Sequence, residues 1–183
     1  MTINPGHLML AKWNDWKTER EMKRRFDKIV KAASKEDFIC RVALPELNVH
    51  WRTMSVPAVI RGLDMYVSPE MLGFSMTKAV LVMLHEVRHL AYDHDKRTMA
   101  LYTFYLCGCG LKPSELQKVI KLCADAEINR RLVAMGYDLE PYGMVHLHGI
   151  TQNASMESMV SFVLNEKLKQ IRDLLANYSD GME

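Results

Sequence analysis

The chain opens on a long amphipathic stretch. From Leu8 to about Ser34 the apolar positions include Trp13, Trp16, Met22, Phe26, Ile29, Val30 and Ala33. Their three-to-four spacing over the second half predicts a helix spanning 8–34. Between Phe38 and Val67 the period shortens. Phe38–Leu44, Leu47–Met54 and Leu63–Val67 mix β-branched and aromatic residues with polar ones, and Pro45, Pro57 and Gly62 punctuate them. A small, largely antiparallel sheet is expected there.

Ser75–Tyr92 returns to the helical period, and Ala79–Leu84 is apolar on every side. That predicts a buried helix, capped by Ser75 or Thr77. A second helix is expected over Lys96–Leu106, stopping at Cys107-Gly108-Cys109-Gly110, since glycine favours a left-handed turn. A third begins at Pro113, with Ser114 and Gln117 in capping-box spacing, and ends at Met135 before Gly136. Tyr137–Gln152 reads as loop, and 155–177 as a last amphipathic helix through Met159, Phe162, Val163, Leu168 and Ile171. The fold class expected is α+β, mostly helical, with the sheet preceding the buried helix. No internal repeat or low-complexity segment interrupts the 183 residues, which suit one domain with a single sizeable core.

Composition narrows the function classes more than it selects one. A hydrophobic share of 49% and a charged share of 25% are ordinary for a globular chain. A net charge of +2 is too small by itself to argue for a nucleic-acid or membrane partner, and nucleic acid is not expected as one. The basic residues do concentrate in Lys17, Arg20, Lys23, Arg24, Arg25, Lys28 and Lys31, interleaved with Glu19, Glu21 and Asp27. This is the pattern of a solvated helix face, with an anionic partner surface as its alternative. Met1–Pro5 has neither a basic nor an apolar leader region, and no apolar run reaches the ~20 residues that span a bilayer. With four cysteines and no leader, a cytoplasmic protein with reduced thiols and no membrane partner is expected.

The chemistry concentrates in His85-Glu86-Val87-Arg88-His89. Residues four apart on a helix differ by about 40° in azimuth, so both imidazoles project to one side and can grip one ion. Neutral imidazole suits Zn²⁺, and two of them leave room for a third ligand and a water. Glu86 lies beside His85 and can take a proton from that water. The bare pattern has a chance-match probability on the order of 1–2 % for this composition, so its setting inside an apolar helix adds most of its weight.

The third ligand has two candidates. His94 follows His89 by five residues; on a straight helix it would lie about 180° round from His85. It turns inward only if the helix breaks near Asp93, a residue type that tolerates the left-handed conformation. Otherwise it is a residue behind the site or near the surface. Asp125, in Ala124-Asp125-Ala126-Glu127-Ile128-Asn129, is the competing and preferred choice, and Glu127 is a more distant one. Asp125 and Asn129 share a helix face, so one can reach the metal while the other orients a histidine. Arg97 is expected to pair with an acidic group near the site rather than to take part in chemistry. Cys107-x-Cys109 with Cys123 has no obvious fourth ligand and reads as a helix corner rather than a second metal site. Tyr142, His146 and His148 could line a substrate cleft and donate to an oxyanion, against the plainer reading of an ordinary loop.

A resemblance ties these pieces together. The blocks Leu63-Asp64-Met65-Tyr66-Val67-Ser68-Pro69-Glu70, Leu84-His85-Glu86-Val87-Arg88-His89-Leu90, His94-Asp95-Lys96-Arg97 and Ala124-Asp125-x-x-Ile128-Asn129-x-x-Leu132 occur in that order. Over about 55–145 the chain resembles the N-terminal domain of bacterial and phage metallopeptidases that often carry a C-terminal von Willebrand A-like domain. The resemblance implies a zincin-like fold and one zinc ion, with His85, Glu86, His89, His94 and Asp125 at matching positions. Two departures stand out: the family commonly has a small residue such as glycine where this chain has Asp93, and the stretch to Glu183 is expected to leave no room for the appended domain. The function expected is a zinc endopeptidase acting on protein or peptide substrates, Glu86 being the catalytic base. The alternatives are a binding or inhibitory protein on the same scaffold with a structural metal, and hydrolysis of a non-peptide substrate.

Overall fold

A computed structural model describes residues 19–139 and 154–165. The chain falls into two compact units, residues 1–87 and 88–183, with the division inside one helix.

The first unit starts with helix α1 (Glu19–Glu36), which buries Met22, Phe26, Ile29 and Ala33 as a single stripe. Its basic residues Arg20, Lys23, Arg24 and Lys28 are exposed. Phe26 meets Trp51 edge-on, ring centroids 5.4 Å apart. Phe38–Ala43 is a short helix, α2, and not the strand that its apolar and β-branched residues suggest. The reason is local: Asp37 adopts the extended N-cap conformation and its carboxylate accepts the Cys40 N–H at 3.0 Å. Pro45 then starts a 3₁₀ turn over Leu44–Glu46.

Three four-residue strands follow: β1 (Asn48–Trp51), β2 (Ala58–Arg61) and β3 (Asp64–Val67), in the order β1-β3-β2. The β2–β3 pair is antiparallel, with Gly62 at φ 59 in its two-residue turn, although Ala58–Arg61 is not among the expected strands. The β1–β3 pair is parallel, so the sheet is mixed. Ala58, Ile60, Met65 and Val67 turn to the buried side at period two, while β1 is largely exposed. After a 3₁₀ turn at Pro69–Gly73 comes helix α3 (Met76–Ala91). Ser75 caps it, its Oγ accepting the Lys78 N–H at 3.2 Å. Ala79 to Leu84 and Val87 are all buried, as an all-round apolar run requires.

The second unit takes the last turn of α3 and adds α4 (His94–Tyr105), α5 (Pro113–Ala134) and α6 (Met156–Asn165). Its core packs Leu101 of α4 with Leu116, Val119, Ile120, Leu122 and Cys123 of α5 and Met156, Met159, Val160 and Val163 of α6. Helix α4 begins two residues before the expected Lys96. Helix α5 is capped by Glu115, whose carboxylate accepts the Lys112 N–H at 3.0 Å, and not by the expected Ser114–Gln117 pair. Pro113 occupies the first turn, where its missing N–H costs nothing, and this shifts the cap two residues upstream. Gly136, at φ 92, ends the helix where glycine is expected. Residues 8–18 of the expected first helix, 166–177 of the expected last one, and Tyr142, His146 and His148 lie outside the described residues. Among the described residues no helix is long and apolar enough to cross a membrane.

Candidate metal centre

Helix α3 supplies His85, Glu86 and His89; His85 is buried, while Glu86 and His89 are half-buried. One turn separates the two histidines, so their rings share a face. From α5, Asp125 brings Oδ1 to 3.1 Å from Nε2 of His89. The ligand atoms of His85, His89 and Asp125 all lie within 4.8 Å of one another. Donor atoms about 2.0–2.1 Å from a tetrahedral zinc stand about 3.3 Å apart, so the His89–Asp125 spacing has the right scale. Two imidazoles and a carboxylate also form the donor set of an ion that keeps an open position. The residues present therefore fit a metal.

His94 reaches the interior through a backbone elbow. Helix α3 stops at Ala91, and Asp93 sits in the left-handed conformation (φ 53, ψ 39) before α4 begins at His94. That elbow meets the condition for an inward-facing His94, which is only 2% exposed. Both ring nitrogens are engaged: Nδ1 lies 2.9 Å from Nδ1 of His89, itself one of the three, and Nε2 lies 3.0 Å from Oε2 of Glu127. Tyr92 flanks it, ring centroids 5.8 Å apart, and the Arg131 guanidinium lies over Tyr92 at 4.4 Å.

Glu127 is the anchor of this layer. It is 3% exposed, and besides His94 it accepts Arg97 Nη2 at 3.0 Å and Arg131 Nη2 at 3.1 Å. Burial alone would push its carboxyl up, but the His94 hydrogen bond and the Arg97 charge outweigh it and hold the group below the usual range. Arg97 also grips Glu157 of α6 in a two-pronged pair, 2.7 Å on each side. The Arg97 bond holds the Glu157 carboxyl down at about 2, and Glu157 in turn raises the Arg97 guanidinium. Arg97 thus lies beyond the histidines, paired with two carboxylates. Asn129 is buried on α5 one turn past Asp125.

Among the cysteines, Cys107 is exposed, Cys109 intermediate and Cys123 buried, and none is disulfide-bonded. Burial, helped by the Asp125 charge, pushes the Cys123 thiol up to about 12, which keeps it an unreactive core residue.

Sequence reasoning named Glu127 only as a distant ligand candidate and did not single out Glu157 or Arg131. The available signal was a second carboxylate, Glu127, within an otherwise apolar helix, where a buried charge demands partners. Nothing in the local pattern marks Glu157, which follows Arg97 by 60 residues.

No curated protein and no solved structure matches the chain. Residues 21–176 match the family model described as "Putative metallopeptidase domain", a span that takes in every residue of the histidine–carboxylate cluster, and the chain belongs to that family.

Proposed function

We propose that this protein is a zinc-dependent endopeptidase in which His85, His89 and Asp125 hold the ion and Glu86 is the catalytic base. The observation that carries the reading is the convergence of two α3 imidazoles and the α5 carboxylate within 4.8 Å. Family membership supports a metal-dependent peptidase as the reaction class. Zinc fits the donor set because imidazole nitrogen and carboxylate oxygen both suit it.

A zinc ion in this group supplies Lewis-acid polarisation of the scissile carbonyl and lowers the pKa of water towards ~7. The rest is the work of side chains. Glu86 follows His85 on the same helix, half-buried, so its carboxylate can hold an attacking water and take its proton. The same carboxyl then returns that proton to the leaving amine. His85 and His89 are held by a helix in which Ala79 to Leu84, just before them, are all buried, which keeps their rings from drifting. Asp125 opposes them as the ligand carboxylate, and His94 stands behind His89 rather than competing for the ion.

The test pairs metal content with cleavage of an unbiased peptide library. Glu86→Gln is expected to keep one zinc per chain and lose cleavage. Asp125→Ala is expected to lose zinc under conditions where the wild type retains it. Cleavage surviving in Glu86→Gln would refute the role of the base. Full zinc in Asp125→Ala would refute the ligand assignment. Wild-type protein that holds zinc but cuts nothing would favour a scaffold with a structural metal.

A further inference from the structure

The outer face of helix α1 holds a charge pattern that folding does not require. At ~100° per residue, Arg20, Arg24, Lys28, Lys31 and Lys35 fall within about 80° of one another, opposite the buried stripe of Met22, Phe26, Ile29 and Ala33. All five are exposed, and among the described residues none of them forms an ion pair. They make one row ~22 Å long, its members about 4.5–6 Å apart along the axis. Like charges three or four residues apart destabilise a helix. The helix dipole accounts for little of the row: it favours Lys35 in the last turn but opposes Arg20 in the first.

The shape of the row selects among polyanions. Asp27 borders it on one side and Glu21 on the other, both exposed, so it is a single charge wide. A helix set into a nucleic-acid groove meets phosphates along both flanks, where these two carboxylates would stand. A single strand asks for aromatic rings to stack its bases, and the one aromatic of α1, Phe26, is buried. An anionic bilayer takes a basic helix with its apolar side down, but that side of α1 lies in the core. An extended polypeptide meets all three conditions. It is narrow, needs no stacking platform, and sets every second side chain on one side at ~6.6–6.8 Å, a step that the long stems of Arg and Lys can follow. About seven residues of extended chain span the row.

We propose that the row Arg20, Arg24, Lys28, Lys31 and Lys35 is a docking ridge for an extended acidic segment of a partner protein, with Asp or Glu at alternate positions. The carboxylates of that segment pair with the guanidinium and ammonium groups one after another along the ridge. Each contact is an exposed ion pair and weak by itself, so binding is the sum of several and falls as salt rises. The ridge stands apart from the metal centre, whose ligands come from α3 and α5.

The experiment titrates the full chain against a fluorescent peptide that alternates Glu and Thr over the ~7 residues matching the row, read by anisotropy. Salt is held at ~50 mM, where the screening length still exceeds the spacing of the row, and then raised. The peptide is expected to bind more tightly than its isomer with the same Glu residues gathered at one end. Arg24→Glu with Lys28→Glu is expected to weaken binding about 10-fold and to flatten its salt dependence. Arg52→Glu with Lys118→Glu, an equal change in net charge at exposed sites elsewhere, is expected to stay within about threefold of wild type. Arg24→Gln with Lys28→Gln removes the charges without adding repulsion and is expected to cost about threefold, which decides the matter if the reversed pair fails to keep the far-UV circular dichroism of the wild type. A wild type that does not bind the peptide, equal loss in the row and control variants, or an isomer bound as tightly overturns the proposal. So does a DNA duplex of ~20 base pairs, or a vesicle rich in phosphatidylserine, that outbinds the peptide on wild type and is lost in the row variants.

Discussion

Replacing Glu127 tests whether the buried carboxylate organises this layer. Three donors converge on it, and they lose unequally when it is removed. Arg97 keeps both contacts to Glu157 at 2.7 Å, and Arg131, 53% exposed, can turn to water. Each of these losses is on the scale of an exposed ion pair, about 0–1 kcal/mol. His94, 3% exposed, has no such recourse, and a buried donor stripped of its acceptor costs about 1–3 kcal/mol. Relief of the desolvated charge offsets part of the sum, so Glu127→Ala is expected to destabilise by about 2–3 kcal/mol. Glu127→Gln keeps an oxygen for His94 and is expected to lose about 1 kcal/mol. Urea unfolding in excess chelator, followed by circular dichroism, measures both without any contribution from metal. For a chain of this length the alanine variant would melt about 4–12 °C lower. An alanine variant within about 0.5 kcal/mol of wild type, or a glutamine variant as damaged as alanine, would refute the argument.

The Asp93 elbow predicts an ordered series. A Cβ-bearing residue in the left-handed region costs about 1–2 kcal/mol, least for Asp and Asn. Asp93→Gly should therefore lie within about 0.5 kcal/mol of wild type and Asp93→Val about 1–2 kcal/mol below it in denaturant titration; equal loss in both would contradict the left-handed turn. The Glu157 pair predicts an acid dependence with a defined sign. Its folded carboxyl is held down at about 2 by Arg97, so its contribution is fully present above the ordinary carboxylate range and is lost as pH falls from about 5 towards 2. Glu157 is 45% exposed, so solvent screening limits the effect to about 0.5–1 kcal/mol. The stability gap between wild type and Glu157→Gln should shrink across that window; a gap constant with pH would show that the pair does not titrate as described.

Much of this arrangement is legible in the sequence because it is written in local periods. Ala79–Leu84 announces a buried helix, and histidines four apart on it must share a face. The elbow at Asp93 is legible too, as a condition: His94 faces inward only if the helix breaks there. What local patterns could not show is which group answers an inward His94. That depends on α5 and α6 arriving with Glu127 and Glu157, and no periodicity links positions separated by 33 or 60 residues. The misread segment, Phe38–Ala43, fails for the opposite reason. Its residues favour a strand, but a single capping carboxylate at Asp37 satisfies the first turn and tips six residues into a helix.

The sequence separations of the outer layer also govern when it can exist. His85 and His89 are neighbours as soon as one turn of helix forms, and a growing chain holds them long before α5 is complete. The Glu127 contact closes across 33 residues and the Arg97–Glu157 contact across 60, so each waits for later helices to dock. A partly synthesised chain thus carries both histidines without the Asp125 carboxylate or the His94–Glu127 contact beside them. On the proposed assignment the complete ligand group is a property of the finished fold, and a half-made or misassembled molecule is left with two histidines alone.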